Sequence, residues 1–200
     1  MPPSTRPRSD GIRSRNAILD AAAKLATVVG LDGLSIGVLA EHVGISKSGL
    51  YAHFGSKEEL QLATIDVAFA IYERDIVRPA LAHADPVARL RAVCENFVSY
   101  VERDSFPGGC FFASTLAEFD TRKGAVHDRL LLLQSDWLRG LQDMCAAALA
   151  TGRIPSQEGP DQLAFELNAA LHLANDMYVL YRDPIFLTRA RHSIKTRLPE

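Results

Sequence analysis

Cysteine, tryptophan and long apolar runs are scarce in this sequence. Its 200 residues include three cysteines and one tryptophan. An odd number of cysteines without a CxxC pair argues against a disulfide framework and favours a reducing compartment. No segment reaches the roughly 18 uncharged apolar residues of a membrane-spanning helix, and the N-terminal segment lacks the apolar core of a secretory signal. We therefore expect a cytoplasmic protein with no membrane contact.

Motifs of catalysis and of metal or cofactor binding are missing as well. The sequence has no glycine-rich phosphate loop, no HExxH and no nucleophile elbow, and its cysteines and histidines lack the tight spacing of a metal site. We expect no catalytic residue, no metal and no cofactor, so the chain is predicted not to be an enzyme. One alternative stays open. Cys110 follows two glycines at the start of a helix, where the helix terminus lowers the pKa of a thiol and would suit a redox sensor.

Charge is distributed unevenly along the chain. The net charge is −2, but residues 1–57 carry seven Lys and Arg against four Asp and Glu, a net of +3. The remaining residues carry 15 basic and 20 acidic side chains, a net of −5. A basic N-terminal segment on an acidic body is typical of a polyanion-binding module joined to a second domain.

Apolar residues recur at spacings of three and four along the chain, and the alternation typical of a strand is absent. Candidate helix ends punctuate this pattern: Gly30 follows the first helix, Ser35 precedes the second, and Ser56 opens a capping box with Glu59. Pro79 is expected to end the fourth helix. The pattern predicts an all-α protein with nine helices and no sheet.

Residues 35–54 are the most informative segment. Two short helical patterns flank Gly44, where the chain must reverse within a few residues and glycine tolerates the left-handed backbone that this requires. The two helices are expected to be locked together against the first helix by Leu39, Val43, Ile45, Leu50 and Phe54. Short hydroxyl, cationic and ring-bearing side chains remain outside the core and suit phosphates and base edges. They are Ser46, Lys47, Ser48, Tyr51 and His53. This arrangement predicts a helix-turn-helix whose second helix enters the major groove of DNA.

Residues 12–60 resemble the DNA-binding domain of the tetracycline-repressor (TetR) family. The resemblance is carried by Gly44-Ile45-Ser46 and by Leu50-Tyr51-x-His53-Phe54-x-Ser56-Lys57-Glu58-x-Leu60. It implies phosphate contacts from Tyr51 and Lys57, and base or backbone contacts from Ser46, Lys47 and Ser48. It also places the hydroxyl of Ser35, the N-cap of the second helix, within reach of a phosphate. Gly37 departs from the better helix former that the family places in this turn.

The resemblance implies a TetR-like architecture, in which a three-helix DNA-binding domain precedes a helical domain that binds an effector and dimerises. We expect a flexible basic arm at 1–11, the helix-turn-helix domain at 12–60 and the second domain at 61–200. The implied partners are a palindromic operator in double-stranded DNA, a second copy of the chain and an unidentified small molecule. The implied function is repression that ends when the small molecule binds. A helical bundle that binds other proteins would leave residues 46–57 unexplained.

The second domain offers two sets of candidate residues. Aromatic side chains are expected to line the effector pocket, with ordinary core packing as the alternative: Phe97, Tyr100, Phe111, Phe112, Phe119 and Trp137. Asn168, His172 and Asn175 share one face of a helix at i, i+4 and i+7, and should face either the ligand or the partner subunit, because buried polar groups need partners. By resemblance, the last two long helices pair the subunits. Apolar candidates for that surface are Leu167, Leu171, Ala174, Tyr178 and Phe186.

Overall fold

The computed structural model describes residues 7–154 and 158–199, and every regular element within these ranges is helical. The helices follow in chain order as α1 (Pro7–Val29), α2 (Ile36–Val43), α3 (Lys47–Phe54), α4 (Lys57–Tyr72, continued by Glu73–Val77 and Arg78–Leu81), α5 (Pro86–Glu102), α6 (Phe111–Phe119), α7 (Ala125–Leu149), α8 (Pro160–Tyr181) and α9 (Ile185–Arg197). The predicted all-α class with nine helices is confirmed for the part of the chain that the structure describes.

Short polar side chains fix where the first helices begin. Ser35, Ser46 and Ser56 precede α2, α3 and α4, and each hydroxyl oxygen accepts a hydrogen bond from the backbone N–H three residues later, at 3.2, 3.1 and 3.0 Å. Such caps satisfy N–H groups that have no partner within the helix. Gly44 ends α2 in the left-handed region, with φ at 70°. These local signals hold α2 and α3 in the predicted helix-turn-helix.

The first helix starts earlier than expected. α1 begins at Pro7, so the last residues of the flexible arm predicted at 1–11 are helical. Proline favours the first turn of a helix, because its φ is preset and its missing N–H would have had no helical partner. Arg6, which belongs to the predicted arm, lies outside the described residues.

The fourth helix also differs from its prediction, since it continues through Pro79 to Leu81. A proline ring clashes with the carbonyl four residues earlier in a regular α-helix. Here the preceding segment, Glu73–Val77, is π-helical, and the N–H of Arg78 donates to the carbonyl of Glu73. The wider turn accommodates the proline without ending the helix. A single helix therefore joins the N-terminal unit to the second unit.

The N-terminal unit and the second unit share one continuous apolar core. In the N-terminal unit, Leu39, Leu50 and Phe54 are buried, and α3 packs on α2 and α4. In the second unit, α5 lies in the middle and packs against α7, α8, α9 and the π-helical part of α4. No helix within the described ranges is long and apolar enough to cross a membrane.

The two units also touch away from α4. The loop before α6 lies against α1, where the N–H of Gly108 donates to Thr27 Oγ1 at 3.1 Å. A side chain cannot fit at this glycine, because a Cβ atom there would overlap the backbone carbonyl of Thr27. Gly108 thus permits the close approach of the second unit to α1.

Substitution by alanine should have opposite effects on stability at Gly108 and at Gly140. Gly108→Ala should lower the free energy of unfolding by about 1–3 kcal/mol, the usual cost of overpacking. Gly140 lies within α7, and a Cβ atom added there would meet nothing within 4 Å, so Gly140→Ala should raise stability by up to about 1 kcal/mol. Urea denaturation of both variants measures this. Equal effects at the two positions would contradict the close packing at Gly108.

Candidate nucleic-acid interface and internal cavity

The helix α3 leaves most of its surface uncovered. Its buried side chains are Leu50 and Phe54, which fix it to the core. The other predicted contact residues of this segment are exposed, namely Ser46, Lys47, Ser48, Tyr51 and His53. The side chain of Tyr51 is 59% exposed, although tyrosine is large and partly apolar. The structure therefore brings the predicted residues together on the free surface of one short helix.

The serine hydroxyls of this surface also have structural partners. Ser46 Oγ accepts from the N–H of Gly49 and lies 3.2 Å from Ser48 Oγ. Ser35, which is half-buried, caps α2 in the same way. A hydroxyl that accepts a hydrogen bond from an N–H can still donate its own proton. Capping a helix and contacting a phosphate are therefore compatible at Ser35 and Ser46.

The first turns of α2 and α3 lie side by side. A Cβ atom at Gly37 would lie 3.6 Å from Lys47 Nζ and 3.8 Å from Ser35 Oγ, which are ordinary contact distances. Alanine would fit there. Packing within the chain therefore does not explain why position 37 holds glycine rather than the better helix former that the family places in this turn. The N-terminus of α2 and the Lys47 ammonium meet at this point, and each favours negative charge.

Lys57 differs from the other predicted contact residues because it is already paired. Its Nζ atom lies 3.0 Å from Asp32 Oδ1, and Arg122 Nη1 lies 2.7 Å from Asp32 Oδ2. Hydrogen bonds from Arg122 and then Lys57 hold the pKa of the Asp32 carboxyl below its usual value. The groups are exposed, and such pairs exchange partners easily. Lys57 can reach a phosphate by exchanging this carboxylate for it.

A carboxylate from α6 caps the turn between α1 and α2. The Glu118 carboxylate accepts hydrogen bonds from the N–H groups of Leu31 at 3.0 Å and Asp32 at 2.9 Å. Gly30, with φ at 81°, brings the turn against this carboxylate. Gln61 in α4 donates to the carbonyl of Leu31 at 2.7 Å. Sequence reasoning missed this junction. No pattern in the sequence indicated the partners of Glu118.

A small cavity of about 20 Å³ lies among α4, α5, α6, α7 and α8. Tyr72 lies at its centre, with its ring at right angles to those of Phe112 and Trp137 at centroid distances of 5.7 and 5.3 Å. The full lining comprises Phe69, Tyr72, Phe97, Cys110, Phe112, Leu133, Gln134, Trp137 and His172.

Sequence reasoning found part of this lining. The predicted pocket residues that line the cavity are Phe97, Phe112, Trp137 and His172. Phe69, Tyr72 and Gln134 were missed, because a helical repeat does not distinguish a cavity wall from ordinary core.

The other predicted pocket residues lie elsewhere. Tyr100 and Phe111 are buried and contact neighbouring aromatic rings outside the cavity lining. Asn168 Oδ1 accepts from Trp137 Nε1 at 2.9 Å. Asn175 Oδ1 accepts from the N–H of Cys110 at 2.7 Å. The polar stripe on α8 is therefore divided, since both asparagines satisfy groups of their own chain and His172 faces the cavity.

A wider groove of about 400 Å³ lies outside this cavity, between α6 and α7. Phe119, Asp120 and His127 are among its lining residues, and Gln134 lines both spaces. Gln134 therefore stands where the exterior groove meets the internal cavity.

The three cysteines are all buried. Burial raises the pKa of Cys110 to about 11, although the N–H groups of Ala113 and Phe112 act in the opposite direction. The helix terminus thus has the expected influence on this thiol, but desolvation is the larger effect. A thiol that stays protonated at neutral pH is a poor nucleophile, so the structure does not support the redox-sensor alternative.

The outward face of α8 and α9 is apolar, but not at the predicted positions. Leu167, Leu171 and Ala174 are buried within the chain, while Tyr178 and Phe186 are half-buried. Large apolar side chains are instead exposed one to three positions away, at Phe165, Leu173, Leu180, Tyr181 and Ile185. α8 carries apolar residues on two faces. Periodicity alone could not decide which face belongs to the core of the chain.

Comparison with known families gives matches along most of the chain. Residues 18–64 match the model described as "Bacterial regulatory proteins, tetR family". Residues 86–194, more than half of the chain, match "Tetracyclin repressor-like, C-terminal domain". The first match covers the helix-turn-helix, and the second runs from α5 into α9.

Individual proteins show the same similarity. The HTH-type transcriptional activator FasR of Mycolicibacterium smegmatis is 32% identical over 91 residues, which are 46% of this chain and 42% of that protein. The crystal structure of a TetR transcriptional regulator from Chloroflexus aurantiacus is 28% identical with a TM-score of 0.82, covering 94% of this chain and 95% of that one. AibR, solved with isovaleryl coenzyme A and operator DNA, has the same fold at 23% identity and a TM-score of 0.75, over 92% and 98% of the two chains.

The junction at Glu118 predicts a sensitive position. Glu118→Gln leaves one acceptor oxygen for two backbone N–H groups, so it should lower the free energy of unfolding by about 1–3 kcal/mol, the cost of leaving a desolvated N–H without a partner. Asp120→Asn is the matched control, because Asp120 is exposed and makes no side-chain hydrogen bond within the described ranges. Urea denaturation compares the two variants. Equal stability of both would show that the Glu118 contacts do not hold the turn.

Proposed function

Because the chain belongs to the TetR family of DNA-binding transcriptional regulators, we propose that it is a repressor that leaves its operator when a small molecule binds the second domain. One observation carries this proposal. The side chains of α3 that match the family's contact residues lie on a helix surface that the rest of the described chain leaves uncovered. A regulator needs such a surface, whereas a purely structural bundle would bury it.

The proposed DNA contacts divide by chemistry. Lys47, Ser48 and Tyr51 would enter or border the major groove, because the N-terminal residues of a recognition helix lie nearest the bases. Ser35 and Lys57 would contact phosphates, and Lys57 would exchange Asp32 for a phosphate oxygen. His53, near the C-terminal end of α3, would lie at the edge of the contact.

A homodimer follows from the geometry of a palindrome. One recognition helix reads too few base pairs to be specific, and two half-sites one helical turn apart require two helices related by twofold symmetry. The exposed apolar side chains of α8 and α9 provide a self-complementary surface for that pairing. Leu173 and Leu180 are 60% and 67% exposed in the single chain, and pairing would remove their apolar surface from water.

The effector would act through two walls of the internal cavity. Phe69 and Tyr72 belong to α4, which continues into the DNA-binding domain, and Phe112 belongs to α6, whose far end carries Glu118. A ligand that moves either helix changes the position of the helix-turn-helix. A coupling of about 1–3 kcal/mol would lower operator affinity roughly 5- to 150-fold.

Operator binding tests the proposal directly. With a duplex recovered by selection from random sequences, Lys47→Ala should weaken binding about tenfold. If Lys47 contacts a phosphate, the slope of log affinity against log salt should fall in magnitude by about 1, since one neutralised phosphate contributes about 0.9. Tyr51→Phe should weaken binding about fivefold, through the loss of one hydrogen bond. Fluorescence anisotropy at several salt concentrations measures both effects.

The control is Lys123→Ala, which removes the same charge from an exposed position between α6 and α7. It should change operator affinity less than twofold. Unchanged binding by both α3 variants would refute the assignment of the recognition helix. In vitro transcription from the selected promoter decides between repression and activation, and activation would overturn that part of the proposal.

The pairing surface predicts a second outcome. Leu173→Glu places two charges in a symmetric apolar interface, so it should raise the dimer dissociation constant at least about 100-fold, as expected when two leucines lose some 1.5 kcal/mol or more each. Leu81→Glu, at the end of α4, changes a similarly exposed leucine outside this surface and should leave dimerisation unchanged. Sedimentation equilibrium distinguishes them. A dimer of wild-type strength in Leu173→Glu would place the interface elsewhere.

A further inference from the structure

We propose that the effector is an uncharged, mostly apolar molecule containing a ring, and that it binds in the internal cavity after passing Gln134 from the groove between α6 and α7. This inference rests on the proposed function, because it names the class of molecule to which the regulator responds. It comes from the composition of the cavity wall and from the space on either side of Gln134.

The cavity wall is aromatic and contains no ionised side chain. Its five aromatic rings belong to Phe69, Tyr72, Phe97, Phe112 and Trp137, and no Lys, Arg, Asp or Glu is among its lining residues. The side chains of Gln134 and His172 make no hydrogen bond within the described ranges. A wall of this kind binds apolar matter by removing it from water, and a few polar groups then fix its orientation.

The surroundings disfavour charge of either sign. Burial lowers the pKa of His172, so the protonated, cationic form of this imidazole is disfavoured in the cavity. Burial also raises the pKa of Cys110, another lining residue, so a negative charge is disfavoured there. An ionised ligand would meet the same desolvation cost, and no charged side chain lines the cavity to offset it. The carboxylate of Asp176, outside the lining, acts on His172 in the opposite direction, but desolvation is the larger effect.

The geometry of the rings favours another ring as the ligand. Tyr72 makes edge-to-face contacts with Phe97, Phe112 and Trp137. A further ring can pack edge-to-face against these side chains in the same way, at a gain of about 0.5–1.5 kcal/mol per pair.

The cavity is too small for a ligand, so binding must enlarge it. A space of about 20 Å³ holds no more than a water molecule, whereas ligand pockets enclose roughly 300–1,000 Å³. The adjoining groove of about 400 Å³ shares Gln134 with the cavity. A movement of α6 relative to α7 would join the two spaces. Because α6 ends near Glu118, this movement would reach the turn between α1 and α2.

The single tryptophan of the chain gives a direct measurement. Trp137 lines the cavity, so its fluorescence reports occupancy in the DNA-free protein. Three probes share one skeleton and differ in charge: benzyl alcohol, benzoate and benzylammonium. Benzyl alcohol should give a saturable change, and each ion should bind at least tenfold more weakly. Equal or tighter binding of either ion, or no saturable change with benzyl alcohol, would overturn the proposal.

A charged variant locates the site. Gln134→Lys places a cation between the groove and the cavity, so it should reverse the preference and make benzoate bind more tightly than benzyl alcohol. Gln142→Lys, two turns further along α7 and outside both spaces, should keep the wild-type order. Circular dichroism checks that both variants fold. If neither or both reverse the order, the ligand does not bind beside Gln134, and the proposed site is wrong.

Failure of this inference can be told apart from failure of the proposed function. Fluorescence titration needs no operator, so it tests the ligand class alone. Operator release is measured separately with the same benzyl alcohol. Binding without release would retain the ligand class and count against effector-controlled repression. Release by benzoate but not by benzyl alcohol would retain the regulator and overturn the uncharged ligand.

Discussion

The hydrogen bonds from the turn between α1 and α2 to the Glu118 carboxylate are the constraint on which the arrangement of this protein depends. Two backbone N–H groups that would otherwise lack partners are satisfied by an acceptor from the second domain. Charge-assisted bonds of this kind are among the stronger ones in proteins. They tie the helix-turn-helix to the end of α6, and the close contact at Gly108 supports the same junction.

The internal cavity is linked to this junction through the helices that form its walls. Its walls include α4 and α6, which both contact α1. Neither helix can move far without moving the DNA-binding domain, since α4 continues into that domain and α6 caps its turn. The small cavity and the position of α3 are therefore two aspects of one packed arrangement, and in the proposed function a ligand that enlarges the first would disturb the second.

The sequence predicted best what local chemistry determines. Ser35 and Ser56 mark helix starts because their hydroxyls cap nearby N–H groups, and Gly44 marks a reversal because it tolerates a left-handed backbone. The TetR resemblance supplied the identity of the exposed residues on α3. Long-range partners were not predictable: nothing near Asn175 indicates the N–H of Cys110, and the two apolar faces of α8 look alike in sequence. The length of α4 was misjudged because a π-helical turn accommodates Pro79.

Time-resolved energy transfer tests most directly whether the end of α6 positions the helix-turn-helix. Trp137 is the sole tryptophan, and the native cysteines are buried, so a dansyl acceptor on Glu41→Cys labels α2 selectively. The donor–acceptor distance distribution should be narrow when Glu118 is intact and clearly broader in Glu118→Ala, with α-helical content unchanged. Superimposable distributions would show that the helix-turn-helix is positioned without Glu118, and would contradict the central role of this carboxylate.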